Sequence, residues 1–246
     1  MPVVHRLWEA VLNLLYPPLC CGCGQRGDRW EFCGTCRGRV VQPRSPLCSC
    51  CGAPFATRED SDHACAGCLR RRPHFGHARA CAIYDAADSV SHPLKTVLQR
   101  YKYNRDVSLA LPLAQLLIER LPFRVLHYDV LMPVPLHLDR LRWRGFNQAQ
   151  LLATALARSS GVRVDAFSLR RIRPTIPQVQ LNETARRRNV AQAFQVARPQ
   201  RVQGQRILLF DDVYTTGATV NECSRMLRRA GARSVDVLVL ARAVLH

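Results

Sequence analysis

The sequence has almost no lysine, few acidic residues and no long apolar run. Lysine occurs twice in 246 residues, against 34 arginines, and 36 basic residues outnumber 18 acidic ones to give a net charge of +18. Because no run of about 20 apolar residues is present, a membrane-spanning helix is not expected. The sequence also shows no nucleophile–histidine–acid set. Neither a transmembrane protein nor a hydrolase of the triad type is therefore predicted.

The excess of positive charge favours polyanionic partners, either nucleic acid or phosphorylated small molecules. An alternative explanation of the positive charge is a GC-rich coding sequence, in which arginine codons are frequent. Basic runs such as "LRRR" and "ARRRN" form a DNA surface only if the fold brings several of them to one face. The two lysines, Lys95 and Lys102, suggest point-charge contacts with phosphate, or are chance survivors on a helix surface.

The N-terminal segment is apolar but is interrupted by Arg6, Glu9 and Asn13. This pattern predicts an amphipathic helix that ends at the Pro17-Pro18 pair. A signal peptide is not predicted, because no small-residue cleavage site follows. We therefore expect a cytoplasmic protein.

Cysteine is concentrated near the N-terminus, where 10 of the 12 cysteines lie between residues 20 and 68. Eight of them form four Cys-x-x-Cys pairs, and the first and third pairs are 28 residues apart. Two such turns bring four thiolates to one tetrahedral ion at about 2.3 Å. The pattern predicts a duplicated zinc ribbon with two closed, structural Zn²⁺ sites. The ligands are Cys20, Cys23, Cys33 and Cys36 in the first site and Cys48, Cys51, Cys65 and Cys68 in the second.

Other arrangements of these cysteines remain open. One interleaved site, an iron–sulfur cluster and pairs that have lost their metal are alternatives. Cys21 and Cys50 are spare thiols that could replace a neighbouring ligand. A segment this short has little core, so metal binding is expected to supply much of its folding free energy.

The remaining sequence alternates between short apolar runs and helical periodicity. "HYDVLMPVP", "RILLF" and "SVDVLVLARAVL" are predicted strands, and "FNQAQLLATALARSSG" and "TVNECSRMLRRAG" are predicted helices. Strand–helix–strand alternation indicates a parallel, doubly wound α/β sheet flanked by helices. We predict an N-terminal helix and ribbon domain over residues 1–75 and an α/β domain over residues 76–246, joined by a basic linker.

The stretch "RILLFDDVYTTGATV" carries the most specific chemistry. We expect the strand to end at Phe210, so that Asp211 and Asp212 emerge at the carboxyl edge, where such sheets bind ligands. Gly217 permits left-handed angles, and a helix that starts near Thr219 directs free N–H groups and a positive dipole end at the loop. A phosphate fits that loop, and the carboxylates then meet the hydroxyls of an attached ribose or act through Mg²⁺.

This stretch resembles the phosphoribosyl pyrophosphate signature of type I phosphoribosyltransferases. With "RGFNQA" and "PQVQLNETARRRNVAQAF" behind the double ribbon, nearly the whole chain resembles the ComF family, also called ComFC or GntX-like. The resemblance implies a type I phosphoribosyltransferase-like fold and a link to natural transformation, in which imported single-stranded DNA is handled in the cytosol.

The resemblance also implies roles for particular residues. Those implied to bind phosphoribosyl pyrophosphate are Asp211, Asp212, Thr215, Thr216, Gly217, Ala218 and Thr219. Residues 133–137 are candidates for the pyrophosphate loop, and Gln178 and Asn189 match a further family motif without a clear role. Other residues expected in or near the pocket are Lys102, Pro135, Arg144, Asn147, Gln148 and Arg186.

Two functions remain open from the sequence. The first is a protein that binds phosphoribosyl pyrophosphate with Mg²⁺ and assists uptake of single-stranded DNA, with the DNA-uptake machinery at the inner membrane face as a partner. The second is an active phosphoribosyltransferase of nucleotide metabolism without a role in DNA uptake. The sequence identifies no acceptor base and no catalytic residue.

Overall fold

The computed structural model describes residues 16–27, 29–56, 61–85, 92–175 and 183–244. The predicted N-terminal helix before Pro17 and the motif residue Gln178 lie outside the described residues. No helix in these ranges is long and apolar enough to cross a membrane.

The described part of the chain contains a main sheet of four parallel strands in the order β1-β6-β5-β2. Its strands are β1 (Ala78–Asp85), β2 (Val130–Pro133), β5 (Arg206–Tyr214) and β6 (Ser234–Val244). A small antiparallel pair lies beside it, formed by β3 (Leu169–Arg171) and β4 (Phe194–Val196). The prediction of a parallel α/β sheet is confirmed.

Helices cover both faces of this sheet. Their bounds, in chain order, are α1 (Gly34–Gly38), α2 (Ala66–Arg71), α3 (Pro93–Tyr103), α4 (Ala110–Glu119), α5 (Leu138–Arg144), α6 (Gln148–Ser160), α7 (Glu183–Val190) and α8 (Ala218–Arg229). Short 3₁₀ turns at Val107–Leu109, Val125–His127 and Pro199–Arg201 join some of these elements.

The central strands alternate their apolar side chains between two cores, because successive residues of a strand point to opposite faces. Leu208 and Phe210 of β5 pack in one core with α3, α4 and α6. Ile207 and Leu209 pack in the other core with α8 and the β3–β4 pair. Burial on both faces accounts for the nearly continuous apolar run of β5.

Residues 20–68 are here called the cysteine segment. Its first half (residues 20–36) and its second half (residues 48–68) pack on opposite faces of the sheet. Cys20 and Cys36 of the first half join the core of α3 and α4, whereas Cys48 and Cys51 of the second half join the core of α8. Between the halves, the chain crosses the edge of β1, where the Ile83 N–H donates to the Val41 carbonyl oxygen at 2.8 Å. The cysteine segment therefore covers the edge of β1 that would otherwise be exposed.

Several predicted boundaries need correction. The strand predicted to end at Phe210 continues to Tyr214. The basic linker predicted after Cys68 is in part helical, because α2 extends to Arg71. The helix predicted up to Gly161 is confirmed, with Gly161 at φ +75° as its C-cap. The proposed division at residue 75 stays a prediction.

Candidate functional site

Asp211 and Asp212 lie within strand β5, not beyond its end. Their backbone pairs with β6, where Asp211 is in register with Val239. Asp212 is only 3% exposed, and Asp211 is half-buried. The structure thus places both acids near the end of the strand that leads into residues 215–217, here called the threonine loop.

Asp212 forms a buried ion pair with one of the two lysines of the chain. The Lys102 Nζ atom of α3 lies 2.9 Å from Asp212 Oδ2. Burial alone would lower the pKa of Lys102, but the Asp212 carboxylate outweighs burial, and the pKa is raised. Lys102 is therefore a charged group at the carboxyl edge of the sheet.

The carboxyl group of Asp211 has a strongly raised pKa. Burial and the charge of Asp212 raise the pKa of Asp211 to about 8, although Lys102 acts in the opposite direction. The Asp212 N–H also donates to Asp211 Oδ1 at 2.9 Å. The two carboxyl groups therefore differ. The charge of Asp212 is compensated by Lys102, whereas a cation or hydroxyl donors would stabilise the ionised form of Asp211.

The loop after the acids is shaped by Gly217. Its φ is +75°, and a Cβ atom there would lie 2.2 Å from the hydroxyl oxygen of Tyr214. Only glycine fits a left-handed position that packs so closely on a buried ring. Helix α8 begins at the next residue, Ala218, so its unpaired N–H groups face the loop. This is the geometry of an anion site.

The "RGFNQA" motif builds the opposite wall. Arg144 is buried, and its guanidinium donates to Gln148 Oε1. Phe146 packs against the Tyr101 ring at 5.2 Å. Asn147 caps α6 through Oδ1, which accepts from the Ala149 N–H at 3.0 Å, and its Nδ2 donates to the Val134 carbonyl oxygen at 3.0 Å. Asn147 thus fixes the chain after β2.

These elements surround a cavity of about 330 Å³, here called the loop cavity. The predicted residues that line it are Lys102, Pro135, Arg144, Gln148, Arg186, Asp211, Asp212, Thr215, Gly217, Ala218 and Thr219. Thr216 and Asn147 are not among its lining residues. Six cationic side chains line the cavity against two acids: Lys95, Lys102, Arg140, Arg144, Arg171 and Arg186.

Sequence reasoning missed Tyr84, Arg140 and Arg171. Arg171 was not among the predicted site residues, yet it is buried enough that burial lowers the pKa of its guanidinium. Arg171 lies two residues after Leu169 in β3, and Leu169 is 2% exposed. Because alternate residues of a strand share a face, the buried leucine could have indicated that Arg171 points inward.

A second cavity, of about 550 Å³, lies between the second half of the cysteine segment and α8. It is here called the ribbon cavity. Its wall includes Cys51, Cys65 and Cys68 from the cysteine segment and Tyr214 and Thr216 from the main sheet and loop. Both cavities are lined by Arg186, Tyr214, Thr215, Gly217 and Ala218. The threonine loop therefore forms a common wall between them.

The cysteines form two groups suited to a tetrahedral ion. Within each group all ligand sulfurs lie within 4.8 Å of one another, and the groups are Cys20, Cys23, Cys33, Cys36 and Cys48, Cys51, Cys65, Cys68. The Cys23 and Cys33 sulfurs are 3.9 Å apart, and those of Cys51 and Cys65 are 4.0 Å apart. Ligands about 2.3 Å from a tetrahedral Zn²⁺ require similar separations. The sulfurs group in the predicted sequential order, and Cys21 and Cys50 lie outside both groups.

Backbone N–H groups support one thiolate in each group. Cys20 Sγ accepts from the Cys33 N–H at 3.2 Å, and Cys48 Sγ accepts from the Cys65 N–H at 3.3 Å. Burial alone would raise the pKa of both thiols, but hydrogen bonds from these and neighbouring backbone N–H groups lower the pKa of each to about 6. Such outer hydrogen bonds orient and stabilise thiolate ligands. Both groups therefore fit structural zinc.

Comparison with known proteins agrees with this arrangement. Residues 11–69 match the double zinc ribbon domain family. The chain is 33% identical to "DNA utilization protein YhgH" of Salmonella typhimurium over 93% of this chain and 99% of that protein. It is 31% identical to "Competence protein F" of Haemophilus influenzae over 85% of this chain and 91% of that protein. The chain belongs to the ComF family. It is also 28% identical to "Competence protein ComFC" of Bacillus subtilis.

Solved structures show more distant likenesses. A glutamine phosphoribosylpyrophosphate amidotransferase from B. subtilis matches 52% of this ComF chain and 25% of its own, with a TM-score of 0.35 and 23% identity. An adenine phosphoribosyltransferase from Thermoanaerobacter pseudethanolicus matches 56% of this chain and 83% of its own, with a TM-score of 0.34 and 15% identity. Likenesses this distant transfer no function.

Proposed function

We propose that the loop cavity binds phosphoribosyl pyrophosphate with Mg²⁺, and that the protein uses this site in the handling of single-stranded DNA during DNA uptake. The observation that carries the proposal is the convergence of two acids, a helix N-terminus and six cations on one cavity. Its volume of about 330 Å³ lies within the range of about 300–1,000 Å³ that is usual for small-molecule sites.

The charge pattern favours a ligand with several phosphates and neighbouring hydroxyl groups. Six cations against two acids compensate a strongly anionic ligand. The N–H groups at the start of α8 and the hydroxyls of Thr215 and Thr219 offer donors to one phosphate, as a helix N-terminus does for anions. Asp211 and Asp212 offer acceptors to ribose hydroxyls. A phosphorylated sugar that also carries a diphosphate uses all of these groups.

The two carboxylates also fit Mg²⁺, which prefers one or two carboxylates together with ligand oxygens. Asp211 and Asp212 would hold the ion, directly or through water, and the ion would neutralise charge on the diphosphate. Lys102 contributes an ammonium group that can exchange Asp212 for a ligand oxygen, because a lysine forms point contacts and not a rigid fork.

The role in DNA handling is supported by the relatives' names, which refer to DNA utilization and to competence. The net charge of +18 is consistent with a nucleic-acid partner. Binding of single-stranded DNA should then weaken steeply with salt, since counterions are released on binding. Absence of DNA binding at low salt would remove this half of the proposal.

Thermal unfolding with a series of ligands tests the sugar-phosphate half. Phosphoribosyl pyrophosphate with Mg²⁺ should raise the melting temperature more than ribose 5-phosphate or diphosphate at the same concentration, because a ligand stabilises the state that it binds. A shift no larger than that of diphosphate would show only a general anion effect. Release of diphosphate on addition of free bases would extend the proposal to phosphoribosyl transfer.

A further inference from the structure

Two exposed aromatic rings lie beside the mouth of the loop cavity. Tyr103, the last residue of α3, lines the cavity and is 49% exposed. Trp143 of α5 is 46% exposed and follows Arg140, which also lines the cavity, by three residues. Residues three apart on a helix are neighbours on its surface. Both rings are therefore accessible to solvent at the rim of one cavity.

The chain after α3 connects these two rings. Arg105 lies two residues after Tyr103, and its guanidinium carbon is 4.8 Å from the centre of the Trp143 ring. Arg105 has a φ of +58°, a left-handed conformation that is uncommon in residues other than glycine. The contact brings the run "YNR" at the end of α3 to the basic run "RLRWR" of α5. The fold thus places two separate basic runs on one face.

This face carries positive charge that is free to pair with an anion. Arg105 and Arg140 form no ion pair with any residue that the structure describes. The nearest acids in sequence already have partners: Asp106 Oδ2 accepts from Arg100 at 2.8 Å, and the Asp139 carboxylate lies 3.8 Å from another arginine of α5. Guanidinium groups bind phosphate oxygens through charge-assisted hydrogen bonds. The surface therefore combines exposed rings with unpaired cations.

We propose that Tyr103, Arg105 and Trp143, here called the rim surface, bind single-stranded nucleic acid, whose bases stack on the two rings. The inference rests on the DNA half of the proposed function and names the surface that carries it. Every base has a π face, so such stacking tolerates any sequence. Arg105 extends the platform of Trp143, because a guanidinium plane stacks on a base as an aromatic ring does.

Titration of the zinc-loaded protein with a short oligodeoxythymidine tests the proposal. Trp143→Ala should weaken binding about five- to hundredfold, the loss expected for one stacked base. Trp143→Phe keeps a ring and should restore most of the affinity. The matched control is Phe167→Ala, because Phe167 is 63% exposed, lies 5.8 Å from the Arg198 guanidinium carbon and lines neither cavity. Equal affinities of Trp143→Ala and Phe167→Ala would overturn the proposal.

The salt dependence of binding separates stacking from charge. Trp143→Ala removes no charge, so the slope of the logarithm of affinity against the logarithm of salt concentration should match that of the native protein. Arg105→Gln should make this slope shallower by about 0.7, the value for one phosphate contact of a single strand. A duplex of the same length should bind more weakly than the single strand, because its bases are already stacked on one another. Equal affinity for both would indicate attraction by charge alone and contradict the role of the rings.

The same proteins separate this inference from the proposed function. Trp143 does not line the loop cavity, so Trp143→Ala should bind phosphoribosyl pyrophosphate with Mg²⁺ as the native protein does. Oligonucleotide binding that does not respond to Trp143→Ala would remove the rim surface and leave the DNA half of the proposed function in place. No oligonucleotide binding to the native protein would remove both, whereas binding of phosphoribosyl pyrophosphate would still support the sugar-phosphate half.

Discussion

Arg242 of β6 stacks over Tyr214 of β5, with its guanidinium carbon 4.4 Å from the ring centre. The same guanidinium donates to the Cys51 carbonyl oxygen at 2.8 Å. Tyr214 in turn packs beneath Gly217 of the threonine loop. A short series of contacts therefore joins the second zinc ligand group to the loop that faces both cavities.

Replacement of Gly217 by alanine tests the packing of this loop. The added Cβ would lie 2.2 Å from the Tyr214 hydroxyl oxygen, and φ at this position is +75°. The left-handed backbone alone costs about 1–2 kcal/mol in a residue with a Cβ, and the overlap adds to it. Gly204→Ala is the control, because φ there is +72° with no atom within 4 Å. Denaturant unfolding should show a larger loss for Gly217→Ala, and equal losses would contradict the packing.

Replacement of Arg242 by glutamine tests the contact between β6 and the ribbon. The variant loses the hydrogen bond from the charged guanidinium to the Cys51 carbonyl oxygen. This loss should lower the stability of the second half of the cysteine segment by about 1.5–3 kcal/mol. We expect a chelator to remove one zinc ion faster than from the native protein, with the other unchanged. Arg206→Gln is the matched control, because Arg206 pairs with Asp129 on the exposed surface. Unchanged release of both ions would show that the contact does not stabilise the ribbon.

The zinc content of cysteine variants tests the pairing. The native protein should contain two zinc ions per chain, and Cys36→Ser and Cys68→Ser should each reduce this to one, because each removes a ligand from a different group. Cys21→Ser and Cys50→Ser should retain both ions. Elemental analysis of the purified proteins measures these values. Loss of an ion in either control would show that the spare thiol is a ligand.

The raised pKa of Asp211 predicts how stability depends on pH. Its pKa is about 8 in the folded protein, against about 3.9 for an ordinary aspartate. The folded state therefore holds a proton that the unfolded state has lost, so stability should fall as pH rises between these values. Asp211→Asn cannot titrate and should flatten this dependence. Melting temperatures of both proteins from pH 5 to 9 measure it, and parallel profiles would contradict the assignment.

Much of the fold could be predicted from the sequence because its signals are local. The Cys-x-x-Cys spacing identified both ligand groups, since the turn geometry that places two sulfurs is set within four residues. The apolar runs identified β5 and β6, and Gly161 marked the end of a helix. The extension of β5 to Tyr214 was not predicted, because pairing with β6 stabilises a strand through two acids.

Which residues line each cavity depends on tertiary contacts, and this was harder to predict from the sequence. Arg171 and Tyr84 reach the loop cavity from elements distant in sequence from the acidic motif. Thr216 was grouped with its neighbours, yet it lines the ribbon cavity because the loop forms a wall with two sides. The backbone conformation of Gly217 and the Tyr214 ring beneath it determine which cavity a loop residue faces. No periodicity in the sequence indicates this.

Calorimetric binding of phosphoribosyl pyrophosphate with Mg²⁺ to the zinc-loaded protein tests the central proposal most directly. Asp212 lies in the loop cavity, and Asp212→Asn keeps its size while removing its charge. We predict that the native protein binds this ligand and that the variant binds it at least tenfold more weakly, a loss of about 1.4 kcal/mol or more. No binding to the native protein, or equal binding to both, would contradict the assignment of the loop cavity as a working site.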